Sequence, residues 1–401
     1  MRDPKFAPRP GLRRRSLLAP IAPIALLGLT PAWAKQAAAP VGLQALLTDV
    51  VKHHAELVQA SYADSLALAQ ALSQRIEALV SAPSASTLAA AREAWTRARQ
   101  TYGQTEAYRF YGGPIDAEDG PEARINAWPL DEAYIDSVAE RPGSGFINNP
   151  AISLDKASLA AMNERHGEEN IATGWHAIEF LLWGQDERDD GPGQRPPEDF
   201  IDGKAPNAAR RRQALTVMMA LLLDDLNSVL AAWAPGANNY RAAFERGGLE
   251  SVRKIIVGVG TLSRGELAGE RIEVALASRQ QEDEHSCFSD TTHHDVVANA
   301  LGLLNVWQGR YQRVDGSVLQ GPGLLHLVER VDAKLAQRID RQMQQSLRLA
   351  QAIPAPFDQQ IRASNKAGRA RLKALADSLS AQARDLARAA QGLGLQHLQK
   401  G

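Results

Sequence analysis

The chain has 401 residues, 44% of them hydrophobic, with 45 Lys and Arg against 46 Asp and Glu and a formal net charge of −1. That length allows two domains of ordinary size, and the charge balance argues against a nucleic-acid partner. The single cysteine, Cys287, has no internal disulfide partner, and there is no C-x-x-C-H motif for covalent haem attachment.

The first 34 residues read as an export signal. Arg13-Arg14-Arg15 is a positive n-region, Leu17 to Leu29 an apolar h-region, and Ala32-Trp33-Ala34 an A-x-A cleavage site. Arg14-Arg15-Ser16-Leu17-Leu18 also fits a twin-arginine signal. The leader carries +5, which leaves the mature part at −6. No other run approaches the roughly 18 apolar residues of a membrane span. The expected product is periplasmic, cleaved near Ala34, with no transmembrane span in the mature chain.

Beyond the leader, the sequence is rich in Ala, Leu, Gln, Arg and Glu, which favour helix. Apolar residues recur at helical spacing over Leu43–Val80, Ser86–Phe110 and Asn170–Trp183. A Pro-rich linker occupies about 191–206. Further helical windows follow at Asn207–Trp233, Leu249–Val259, Gly265–Phe288, His293–Trp307, Gly323–Ala352 and Gln359–Leu393. The two halves have loosely parallel layouts, each with a helix ending in Trp-Gly or Trp-Gln-Gly. The expectation is an all-α fold of two packed up-down helical bundles, 35–190 and 207–401, related by pseudo-twofold duplication.

Three stretches carry chemistry. Gly174-Trp175-His176-Ala177-Ile178-Glu179 places His176 and Glu179 three apart, on one helical face. That pair suits a metal ion or a proton-transfer site. The plain alternative is two buried polar groups that satisfy each other. Gln281 to Asp295 holds five carboxylates and three histidines in fifteen residues, among them Glu282, Asp283, His285, Asp290 and His293. Its Glu282-x-x-His285 has the spacing of a di-metal bundle pair, although charge runs are usually solvated. Thr105 to Asp116 holds Glu106 and Arg109 on one face, and Glu106 or Asp116 is a candidate further acidic ligand. Trp128-Pro129-Leu130-Asp131 reads as a loop wall. His53 and His54 are expected on a solvated face of the first helix. There is no H-E-x-x-H, P-loop or G-x-S-x-G.

These residues resemble the imelysin-like family. The G-x-H-x-x-E of Gly174–Glu179 matches its signature. Glu106-Ala107-Tyr108-Arg109-Phe110, Pro114-Ile115-Asp116, Trp128-Pro129-Leu130-Asp131 and Glu282 to Asp290 are similar to its iron-regulated protein A branch. The resemblance covers nearly the whole mature chain. It implies a two-bundle all-α fold with a site between the bundles, in a periplasmic protein linked to iron acquisition. His176 and Glu179 inherit the signature role, with Glu106 and Asp116 as further metal ligands. Trp175, Arg109, Asp131, Glu282, Asp283, His285, Asp290 and His293 line the site.

The expected function is binding of a transition metal in a cleft, iron first, with zinc or copper as alternatives. The partners expected are a metal ion or small chelate and a periplasmic or membrane transport protein. The competing readings are a metallopeptidase using His176 and Glu179 as ligands, and a scaffold for a transport or haem partner.

Overall fold

A proline and a capping serine set the first hairpin. Helix α1 (Val41–Ser81) ends two residues before Pro83, whose ring disfavours helix continuation. Ser84 opens α2 (Ala85–Thr105) reciprocally: its hydroxyl accepts the Thr87 amide at 3.2 Å, and the Thr87 hydroxyl accepts the Ser84 amide at 3.0 Å. The computed structural model describes residues 41–188 and 190–395. The export-signal reading at 1–34 lies outside them.

Short helices α3 (Glu122–Asn126), α4 (Glu132–Ile135) and α5 (Lys156–Met162) punctuate the long segment that leads to α6 (Gly174–Trp183). Then come α7 (Ala208–Ala232), α8 (Tyr240–Arg246) and α9 (Leu249–Thr261). A π-helix, Leu262–Glu273, runs directly from α9 into α10 (Val274–Ser278). The remainder is α11 (Thr292–Gln308), α12 (Leu324–Val331), α13 (Ala333–Gln351), α14 (Asp358–Ile361) and α15 (Lys366–Gly392). The all-α expectation holds. Among the described residues the only named strands are β1 (Arg310–Gln312) and β2 (Val318–Gln320), an antiparallel pair with Tyr311 opposite Leu319.

Three windows divide differently from the periodicity. Helix in Gly265–Phe288 stops at Ser278, because Arg279 is left-handed at φ 61°. Residues 279–291 then form a loop carrying one 3-10 turn, Gln281–Asp283. Gly323–Ala352 breaks at Asp332, whose extended backbone and carboxylate cap the Leu335 amide at 2.9 Å. Gln359–Leu393 splits into α14 and α15, the second opened by the Asn365 side chain.

The described residues fall in one compact unit. Helix α1 lies against α2 and α7 and also meets α8, α9 and α12. So many neighbours leave His53 and His54 buried, contrary to the solvated face expected for them. His53 Nε2 pairs with the Gly309 carbonyl at 2.9 Å, and His54 packs against Tyr108 and Phe244.

Two close approaches position the site. Helix α2 crosses α11 with Gly302 at the contact, where a Cβ would lie 2.4 Å from the Gln104 carbonyl oxygen. Only glycine lets the two backbones meet there. The crossing sets Arg99 and Glu106 opposite Asp295 and Asn299. Helix α6 is buried along its whole length. Its first residue, Gly174, sits at φ 86° against the carbonyls of Arg124 and Ile125. Ile178, Phe180, Leu181 and Leu182 anchor α6, each contributing about 1.5–3 kcal/mol by removal from water.

Candidate functional site

His176 and Glu179 do share one face of α6, one turn apart, and there they bond to each other. Nδ1 of His176 lies 2.9 Å from Oε2 of Glu179. The other carboxylate oxygen accepts the Ser289 amide at 3.0 Å and its hydroxyl at 2.6 Å. The loop before α11 supplies a matching pair. Nδ1 of His285 lies 2.9 Å from Oδ2 of Asp295, which also accepts the Ser286 hydroxyl at 2.6 Å. The two imidazoles meet with ring centroids 4.6 Å apart. Each is thus oriented by a carboxylate, and each carboxylate by a serine.

Arg99 of α2 stands between the rings. Its Nη2 is 3.4 Å from Nε2 of His176 and 3.3 and 3.4 Å from the two nitrogens of His285, so the guanidinium lies over the His285 ring. A guanidinium only donates. Nε2 of His176 therefore accepts, and Nδ1–H donates to Glu179. Nε of Arg99 lies 3.2 Å from Asp295, and Nη1 donates to Asn126. Burial lowers both histidines well below their ordinary value, and their neighbours add to this: the His285 ring and the Arg99 guanidinium at His176, Arg271 and Arg99 at His285. Both shifts favour the neutral ring.

Glu106 lies across Arg99, in a 3-10 turn, Glu106–Tyr108, at the end of α2. It accepts from both terminal nitrogens of Arg271, from Arg109 at 3.1 Å and from Asn126 and Asn299. Burial alone would raise this carboxyl. Arg271, then Arg99 and Arg109, hold it well below the usual carboxylate range. The π-helix accounts for Arg271: its five-residue spacing aligns Glu266 with Arg271, and they pair at 3.1 Å. Arg109 pairs with Glu122 at 2.6 Å. Glu122 and Glu266 are partly exposed, so the charged network reaches from solvent to the two histidines.

The other predicted residues are placed as follows. Asp116 is turned to a local task, accepting the amides of Phe110, Tyr111 and Gly113. Asp131 caps α4 and pairs with Arg141. Glu282 is exposed, and His285 takes Asp295 rather than Glu282 as its carboxylate. Asp283 is half-buried in the same 3-10 turn. Asp290 is buried at φ 56°, its carboxyl raised to about 6 by burial and by Asp358. His293 stacks on His294, 4.0 Å between centroids. Trp175 packs in the core against Trp95 and Tyr102. Trp128 meets His285 edge-on. Among the described residues, no group of three or more His, Cys, Asp or Glu side chains is arranged to hold a metal ion.

Arg99, Asn126, Arg271, Asp295, Asn299 and the serines Ser286 and Ser289 complete the network without having been singled out. Arg99 and Glu106 are seven residues apart, two helical turns, which is the signal that could have linked them. Nothing local marks Arg271.

Burial pushes the Glu179 carboxyl up to about 8, with the Asp295 charge adding to it and the Ser289 hydrogen bonds opposing. A raised acid stabilises the fold in its protonated form. That contribution is full below the unfolded value near 4.5 and is lost as pH rises through about 8. Urea unfolding of wild type and Glu179→Gln should therefore show wild type losing stability relative to the variant between about pH 5 and 8. Parallel profiles would remove Glu179 as the titrating group.

A family model described as imelysin (peptidase M75) matches residues 58–386. Iron-regulated protein A of Synechococcus elongatus is 26% identical over 313 residues, 76% of this chain and 74% of that protein. A crystal structure of a putative iron-regulated protein A precursor from Parabacteroides distasonis superposes with TM-score 0.68 at 16% identity, covering 88% of this chain and 97% of that one. An imelysin-like protein from Psychrobacter arcticum gives TM-score 0.60 at 17% identity, covering 85% and 93%. These two structural likenesses carry the fold.

Proposed function

Because this chain belongs to the imelysin family, and its similarity to iron-regulated protein A supports an iron-related role, we propose that it binds iron as an anionic chelate in the periplasm, as part of iron acquisition. The observation that carries this reading is the pair of carboxylate-held imidazoles facing one guanidinium. Imidazoles whose Nδ1–H is fixed by a carboxylate are the arrangement metal sites use to orient Nε2. His176 and His285 would supply two neutral nitrogen ligands suited to iron, zinc or copper. Arg99 would repel a bare cation at that point, whereas it suits the oxygens of a chelating acid. Glu179 and Asp295 then act as positioning residues, and the transport partner receives a chelate rather than a naked ion.

A metallopeptidase at this place would need about three protein ligands and an open position for water. Glu179 is engaged by His176 and Ser289, and no three-ligand group is present among the described residues. The geometry favours binding over hydrolysis.

Calorimetric titration of residues 35–401 with Fe(III)–nitrilotriacetate tests this. His176→Ala and His285→Ala should each weaken binding by on the order of 100-fold. Arg99→Met should lose the chelate while gaining affinity for Zn(II) alone. Unchanged affinity in both histidine variants would sink the assignment. Metal-dependent cleavage of unfolded protein, lost in the same variants, would overturn the binder reading.

A further inference from the structure

A cavity of about 320 Å³ opens between α1, the loop after α7 and the start of α8. Its charged lining is Lys52, Arg241, Arg246 and Glu245; the rest of the wall is alanine and glycine. None of the residues of the His176–His285 network contributes to it.

We propose that this cavity binds a compact polyanion, a small molecule carrying two or three carboxylate or phosphoryl groups. The charge count comes first. Glu245 is already held by Arg241, Oε1 to Nε at 2.7 Å. Arg241 is itself buried, its Nη1 turned to the Trp233 carbonyl at 3.4 Å, so its charge is fixed in the cavity wall. Lys52 and Arg246 are exposed and make no hydrogen bond or ion pair with the described residues. Three cations against one carboxylate leave the cavity with two uncompensated positive charges.

Shape comes second. Small residues at 234, 236, 237 and 242 keep the floor open, so the oxygens of a ligand can approach the backbone. The volume lies at the lower end of small-molecule sites, about 300–1,000 Å³, and is roughly that of ten waters at about 30 Å³ each. That suits a di- or tricarboxylate or a pyrophosphate.

The wall is also pre-formed. Asn239 ties the loop to α7 through the carbonyls of Ala231 and Ala234, both at 2.9 Å, and caps the Ala242 amide at 3.3 Å. A pinned loop lowers the ordering cost of binding. The Arg246 fork and the Lys52 point charge supply the donors anionic oxygens require, with Arg241 adding a fixed positive charge beside them.

Calorimetric titration of metal-free protein with citrate and, separately, with pyrophosphate tests the site. At least one should bind below millimolar concentration and weaken as salt is added. The exposed double variant Lys52→Ala/Arg246→Ala should weaken binding at least tenfold with unchanged melting temperature. His176→Ala/His285→Ala should bind as wild type, which separates this site from the iron reading. Tighter citrate assigns a carboxylate ligand, and tighter pyrophosphate a phosphoryl one. No binding of either anion at millimolar concentration would overturn the proposal. So would affinity unchanged in the Lys52/Arg246 variant, or lost only in the histidine variant.

Discussion

Replacing Glu106 with alanine is expected to destabilise the protein by about 3–5 kcal/mol, because it removes the central carboxylate of a buried ion network and leaves its arginines with fewer carboxylates than they hold now. Glu106 is fully buried and sits at the convergence of Arg271, Arg109 and, at 3.9 Å, Arg99. Its loss would leave Arg271 with Glu266 and Asn299, and Arg99 with Asp295 and Asn126, all but Glu266 buried, and would remove one acceptor from Asn126 and one from Asn299. For a chain of this size the melting temperature should fall by about 4–7 °C. Glu106→Gln keeps the shape and one acceptor and should fall less. In the double variant Glu106→Ala/Arg271→Met the second change should cost less than it does alone, since the partner charge is already gone. Calorimetric unfolding measures all of these. A fall of less than about 3 °C in Glu106→Ala would show that the network holds no net stabilising charge pairing.

The second large effect is expected at Gly174. Its φ of 86° lies in the region that side-chain-bearing residues avoid, and a Cβ there would meet the Ile125 oxygen at 2.5 Å and the Arg124 oxygen at 2.7 Å. Backbone strain costs about 1–3 kcal/mol, and overpacking a closed contact costs a similar amount. The opposing atoms are backbone, so no rotamer change relieves the clash. Gly174→Ala should therefore lose about 2–6 kcal/mol in urea unfolding. The displaced segment is α3, which ends in Asn126, the partner of Arg99 and Glu106. Binding of Fe(III)–nitrilotriacetate should weaken together with stability. Wild-type stability in this variant would mean that α6 does not abut α3 as described.

These two residues also show what could be read locally. Gly174 is legible as part of G-x-H-x-x-E, but its reason is steric and lies in α3, some fifty residues earlier in the chain. Glu106 is legible as an acidic residue near a helix end. Its role as the centre of an arginine network is not, because Arg271 is 165 positions away. Asp116 looks equally suited to a site in sequence, yet it caps the turn at Phe110–Gly113, since its carboxylate is taken up by three backbone amides. Glu282 and His285 have helical pair spacing, but the helix has ended at Ser278, so the spacing has no face to act on.

By itself the sequence determined the helical class, the main helices and the chemistry of α6, because these depend on periodicity, capping and neighbours within a turn or two. It also determined that His176 and Glu179 would meet. Tertiary structure decided the use of that meeting. The crossing of α2 on α11 and the loop before α11 bring Arg99, His285 and Asp295 to the same place, and Glu179, a candidate ligand in sequence, is there the group that holds the His176 ring. Contacts between residues so far apart in the chain leave no local pattern, because they arise from which backbones can approach closely, as at Gly174 and Gly302.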